Sequence, residues 1–146
     1  MINKVFQLLN QDWEFQKVGD DDWHNATVPG CVHQDLFTND LIPDPFFRVN
    51  ESKLQWIMDS DWSYRLFFTP SKEILNKKNK ILSFSGIDTY ADIYLNGEKI
   101  IVTNNMFHPW EKDVSNLLKS GKNELNVVFH SPTKEVLPFM KQRKYK

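Results

Sequence analysis

The stretch that most constrains the fold is Ala91-Asp92-Ile93-Tyr94-Leu95, followed by Asn96-Gly97 and the run Lys99 to Thr103. Ala91, Ile93 and Leu95 alternate with Tyr90, Asp92 and Tyr94, a period of two that puts each set on its own face of a strand. Asn and Gly readily reach the positive φ angles that a two-residue type I′ turn requires, so the chain should reverse at residues 96–97. The pattern predicts an antiparallel hairpin at the centre of an all-β domain.

At 146 residues the chain is one domain's worth and long enough to bury a sizeable core. Five Trp and eleven Phe make that core bulky. A formal charge of -1 gives no electrostatic reason to expect nucleic acid or an anionic membrane as partner. The single cysteine, Cys31, rules out an internal disulfide framework and a multi-cysteine metal site, and is read as a small buried apolar residue. His24, His33, His108 and His130 show no ligand spacing, so neither a metal nor any other cofactor is expected. No apolar run approaches the roughly 18 residues that span a bilayer. The opening residues lack the pattern of a secretory signal. The expectation is a soluble protein whose compartment the sequence leaves open, with the cytoplasm favoured over secretion. Asn25-Ala26-Thr27 and Asn50-Glu51-Ser52 match the glycosylation acceptor pattern, at a frequency too near chance to establish secretion.

Taken in order, Trp13-Glu14-Phe15 reads as a strand and Gly19 to Asp22 as a solvated turn. Val28-Pro29-Gly30 is a rigid bend, and His33 to Leu41 a short helix with Val32, Leu36 and Phe37 on one side. Ile42 to Asn50 should be a proline-fixed loop. Trp62, Tyr64, Leu66 and Phe68 alternate in a strand whose other face, bearing Phe67, is partly covered. Residues 70–80 form a polar, lysine-rich connection, and Ile81, Leu82 and Phe84 resume a strand running through Gly86 to the hairpin. Residues 104–111 read as a loop, and Val114 to Leu118 as a helical turn closed by a Gly121 cap. Leu125, Val127 and Phe129 alternate in a last strand. The basic tail, with Lys141, Arg143, Lys144 and Lys146, is read as a solvated connector rather than a nucleic-acid arm, since four charges supply little phosphate affinity. Short strands, turn signals and little helix point to an antiparallel β-sandwich, a jelly roll.

The run Phe84-Ser85-Gly86-Ile87-Asp88-Thr89-Tyr90-Ala91-Asp92-Ile93-Tyr94-Leu95-Asn96-Gly97 resembles the N-terminal domain of glycoside hydrolase family 2. So does the later spacing of Asp113-Val114, Leu117-Leu118, Gly121, Asn123 and Leu125. Further short motifs resemble the β-mannosidase branch of that family. They are Val28-Pro29-Gly30-Cys31-Val32-His33, Ile42-Pro43-Asp44-Pro45-Phe46, Asn50-Glu51, Gln55-Trp56-Ile57, Asp61-Trp62-Ser63-Tyr64-Arg65 and Asn104-Asn105-Met106-Phe107. The resemblance implies a galactose-binding-like jelly roll spanning residues 1–146, joined in a longer chain to immunoglobulin-like domains and a catalytic (β/α)₈ barrel. It also implies a β-mannoside oligosaccharide as substrate. Members of this branch carry a Gly-Trp-Asp-Trp motif late in the domain; its absence here implies that the sequence stops before the domain's last strands.

Retaining glycoside hydrolysis needs two carboxyls about 5–5.5 Å apart across the scissile bond. The family places both on the barrel, and nothing in these residues replaces them, so the chain alone is expected to be inactive. What it could supply is sugar positioning, because hydroxyls pair with carboxylates and amides while apolar sugar faces lie on aromatic rings. Asp61-Trp62 fits that chemistry, with Trp56 and Asp59 just upstream. The plainer reading starts a strand at Trp62, makes a turn of Asp59 and Asp61, and sets Trp56 in an inter-domain contact. Asn104, Asn105 and Trp110 are a second candidate group, or loop hydrogen-bonders. A free-standing carbohydrate-binding module or lectin, and the matching domain of a β-galactosidase or β-glucuronidase, are the alternatives.

Overall fold

The computed structural model describes residues 4–44 and 53–135. It is an antiparallel β-sandwich, as the alternation predicts. Eight strands run in the order β1 (Glu14–Lys17), β2 (His24–Asn25), β3 (Trp62–Phe68), β4 (Ile81–Phe84), β5 (Ala91–Leu95), β6 (Glu98–Thr103), β7 (Trp110–Asp113) and β8 (Asn123–Phe129). Among the described residues three short helices interrupt them: α1 (Val32–Thr38), α2 (Gln55–Met58) and α3 (Lys72–Leu75). Among the described residues no helix is long and apolar enough to cross a membrane.

One sheet has the strand order β2-β1-β3-β8-β5-β6; β4 and β7 pair in a second, smaller layer. The register aligns Phe15, Tyr64, Val127, Ile93 and Ile101 in a single row across five strands, all pointing inward and all buried. Leu66, Leu125 and Leu95 form the next row. Each such side chain contributes about 1.5–3 kcal/mol by leaving water. Leu82 of β4 and Leu36 of α1 join the same core, with Phe84 and Trp110 packed against it.

The hairpin turns as its sequence requires: Asn96 has φ 53° and Gly97 φ 84°, and Leu95 faces Glu98. A bulge between Ile93 and Tyr94 adjusts the return strand. The turn is also pinned from outside. Asn96 Nδ2 donates to Asn123 Oδ1 at 2.9 Å, and Asn96 Oδ1 accepts the Glu124 N–H at 2.9 Å.

Several expectations need correction. Phe37 is 40% exposed, and α1 buries Asp35 beside Leu36 instead. Cys31 is exposed rather than buried. Residues 110–111 belong to a strand, because β7 gains its partners from β4 and not from any alternation of its own. Strand β4 stops at Phe84, short of Gly86. The polar 70–80 connection holds α3, whose first turn is capped by Ser71 Oγ accepting the Ile74 N–H at 3.2 Å. Gly121 is not in the left-handed region that a glycine cap uses. Asn123 closes that turn, accepting from Lys119 N at 2.8 Å and donating to the carbonyls of Lys119 and Gly121 at 2.9 and 3.0 Å. Residues 45–50 of the proline-fixed loop, the second glycosylation match and the basic tail lie outside the described residues.

Candidate functional site

Strand register brings the two nominated groups to one end of the sandwich. Lys17, Trp62, Phe129, Ala91 and Thr103 form the last row of the large sheet. From that row emerge the segment carrying Trp56, Asp59 and Asp61, the residues after β8, and the loop carrying Asn104 and Asn105. Groups some forty residues apart in sequence therefore share one rim.

At the rim Trp56 is 41% exposed, its ring 6.0 Å from that of Trp62 and its face 5.8 Å from Lys17 Nζ. Trp62 is only 5% exposed and its Nε1–H donates to the Ile57 carbonyl at 3.0 Å. Its ring backs Trp56 from inside the core, so the apolar surface offered to solvent is that of Trp56. Asp59 is exposed and ends the α2 turn, its N–H donating to the Trp56 carbonyl at 3.2 Å. Asp61 is engaged: its Oδ1 accepts the Ser131 N–H at 2.7 Å, and Lys134 Nζ lies 3.9 Å away.

His130 bridges two carboxylates, with Nε2 3.0 Å from Asp92 Oδ2 and Nδ1 3.8 Å from Asp61 Oδ2. Lys99 Nζ stands 3.4 Å from the same Asp92 oxygen. These residues tie together β3, β5, β6 and the exit from β8, each carboxylate already having a cationic or imidazole neighbour. Among the described residues no group of three His, Cys, Asp or Glu is arranged to hold a metal ion.

In the second group, Asn104 is exposed, and Asn105 Oδ1 accepts the Phe107 N–H at 2.8 Å, which curls the loop. Trp110 Nε1 donates to the Asn105 carbonyl at 3.4 Å, and the His108 ring meets Trp110 edge-on at 4.9 Å. Gly86 lets this loop come close, since a Cβ there would lie 3.2 Å from the Met106 carbonyl oxygen. Met106 and Phe107 are exposed beside it. The rim thus offers an indole face, a carboxylate and side-chain amides, a set suited to stacking and hydrogen bonding.

Sequence reasoning missed His130, Asp92 and Ser131. Their partners lie 38 to 73 residues away, and only the pairing of β8 with β5 and with β3 reveals them. A cleft of about 460 Å³ between residues 7–12 and the far end of β3 opens at the opposite end of the sheet and includes no nominated residue.

The chain matches the family model described as the glycosyl hydrolase 2 galactose-binding domain-like domain over residues 13–146. It is 37% identical over 134 residues to beta-mannosidase B of Thermothelomyces thermophilus, covering 90% of this chain and 16% of that protein. With a probable beta-mannosidase of Caenorhabditis elegans the identity is 30%, covering 86% of this chain and 14% of that one. The crystal structure of beta-D-mannosidase from Dictyoglomus thermophilum superposes with a TM-score of 0.89 at 49% identity, over 94% of this chain and 17% of that one. A beta-D-glucuronidase from the same organism, at TM-score 0.60 and 19% identity over 84% of this chain and 19% of that one, shares the fold alone. The chain spans 14–17% of the length of these three mannosidases.

Proposed function

This chain belongs to the glycosyl hydrolase 2 galactose-binding domain-like family, and from that membership we propose that it is the non-catalytic N-terminal domain of a β-mannosidase. The observation that carries the reading is the likeness to the Dictyoglomus thermophilum beta-D-mannosidase over nearly all of this chain. In this proposal the complete polypeptide removes terminal β-linked mannose from the non-reducing end of oligosaccharides by a retaining double displacement. The acid/base and nucleophilic carboxyls stand on a barrel outside these residues, with immunoglobulin-like domains alongside.

The rim end of the sandwich faces the pocket. Trp56 gives the sugar an apolar platform, while Asp59, Asn104 and Asn105 supply hydrogen-bonding groups. Trp62, Asp61 and Trp110 hold those groups in place from behind. Such a site adds binding energy shared equally by the bound sugar and the transition state, while the chemistry is performed elsewhere.

The test compares the complete product of the gene with the 146-residue chain on p-nitrophenyl β-mannoside, β-galactoside and β-glucuronide. The expected result is turnover of the mannoside by the complete product, released first as β-mannose, and none by the chain alone. Turnover by the chain alone, or a preference for either of the other glycosides, overturns the proposal. Saturable sub-millimolar mannose binding by the isolated chain, with no activity in the complete product, points instead to a lectin and likewise overturns it.

A further inference from the structure

The carbonyls of α2 are taken up one after another by side chains. Ser60 Oγ donates to the Trp56 carbonyl at 2.7 Å, Trp62 Nε1 to that of Ile57 at 3.0 Å, and Ser131 Oγ to that of Met58 at 2.7 Å. Ser60 and Trp62 are local. Ser131 is not: it follows β8, 73 residues beyond Met58, and is completely buried. Its N–H donates to Asp61 Oδ1 at 2.7 Å, so one residue grips the chain at both Met58 and Asp61. The Ser131 Oγ also accepts the Lys134 N–H at 3.3 Å, which leaves its hydroxyl proton directed at Met58.

A four-residue helix cannot hold itself, because nucleation costs more than one turn of hydrogen bonds returns. Its last carbonyls also need outside donors. The position of Trp56 therefore depends on what secures the end of this turn, and Ser131 is the distant part of that fastening. We propose that Ser131, clasped to Met58 and Asp61, is a positioning residue for sugar binding, fixing α2 so that the Trp56 face meets the saccharide. This rests on the reading of the rim as the sugar-facing end. Without the clasp the turn spends only part of its time in the competent position, and apparent affinity falls by that fraction. Chemistry on the bound sugar is untouched, so the loss falls on KM and not on kcat.

The experiment measures p-nitrophenyl β-mannoside kinetics in the complete polypeptide for Ser131→Ala, Trp56→Ala and the double variant. Ser131→Ala is expected to raise KM about fivefold with kcat within twofold, the signature of a turn competent about one-fifth of the time. Trp56→Ala should raise KM at least as much, and adding Ser131→Ala to it should change KM little further, because the clasp then has no platform to position. Asp61→Ala, which removes the acceptor at a partly exposed site, is the second route should Ser131→Ala fail to fold. It should give the same KM rise and the same loss of effect in the Trp56→Ala background. An unchanged KM in the clasp variants, or a KM effect that persists in full without Trp56, overturns the clasp. An unchanged KM in Trp56→Ala overturns the sugar-facing reading itself, and the clasp's role with it.

Discussion

The Tyr64 hydroxyl donates to Asp35 Oδ2 at 2.7 Å within the core, joining the central sheet to α1. The other Asp35 oxygen accepts the Thr27 N–H at 2.8 Å, so this one carboxylate fastens β3, α1 and the bend before it. Burial raises the Asp35 pKa, against the lowering influence of the Thr27 and Tyr64 hydrogen bonds. Burial also pushes the Tyr64 phenol far upward, and hydrogen bonding to Asp35 adds to the shift.

Replacing Tyr64 with Phe leaves Asp35 Oδ2 buried without its donor. Such a loss costs about 1–3 kcal/mol, read as a lower urea midpoint at pH 7. The pH dependence has a definite sign. A phenol whose folded pKa lies above its unfolded value of 10.0 stabilises fully below that pH, and its contribution is lost as pH rises beyond it. The wild type should therefore weaken above about pH 10 while Tyr64→Phe lacks this added loss, and the gap between their urea midpoints should narrow.

Asn123 is wholly buried and holds Asn96, Lys119 and Gly121 through both ends of its amide. Asn123→Ala should lower unfolding free energy by about 3 kcal/mol, as several polar groups lose partners at once. Amide exchange should quicken at Lys119 and Asn96 before it does in the middle of β3. An exchange pattern unchanged at the hairpin turn would refute the pinning of that turn by Asn123.

Two glycines should part company. Gly97 sits at φ 84° with open space around it, so Gly97→Ala meets only backbone strain, costing about 1 kcal/mol. Gly121 has equal room and no positive φ, so Gly121→Ala should be neutral or stabilising by up to about 1 kcal/mol. Thermal unfolding of both variants checks the pair, and equal losses would contradict the turn assignment.

Where periodicity and turn chemistry agree, the fold was readable in advance: β3, β5 and β8 alternate, and Asn96-Gly97 reverses the chain. Other elements owe their form to distant partners. Strand β7 is Trp-Glu-Lys-Asp, charged and without alternation, and becomes a strand by lying beside β4. Asp35 displaces Phe37 from the buried side of α1 because Tyr64, 29 residues away, satisfies its carboxylate. At the rim, residue chemistry nominated Trp56, Asp59, Asp61, Trp62, Asn104, Asn105 and Trp110 without telling which of them face solvent. Which tryptophan lies inside, and which serine secures the turn, follows only from register: Trp62 is the first residue of β3 and Ser131 follows the end of β8.

The placement of β8 between β3 and β5 has a consequence for biosynthesis. The strand made last among the eight is the seam that joins the two halves of the large sheet. Until residues 123–129 have left the ribosome, β1–β3 and the β5–β6 hairpin have no common edge to meet on. The earlier segments must wait, their aromatic faces uncovered, and the large sheet closes in a late, long-range step. A nascent chain stalled before Asn123 should be cut by protease within β3 and β5, and exposure of residues 123–131 beyond the exit tunnel should slow cleavage at those two strands.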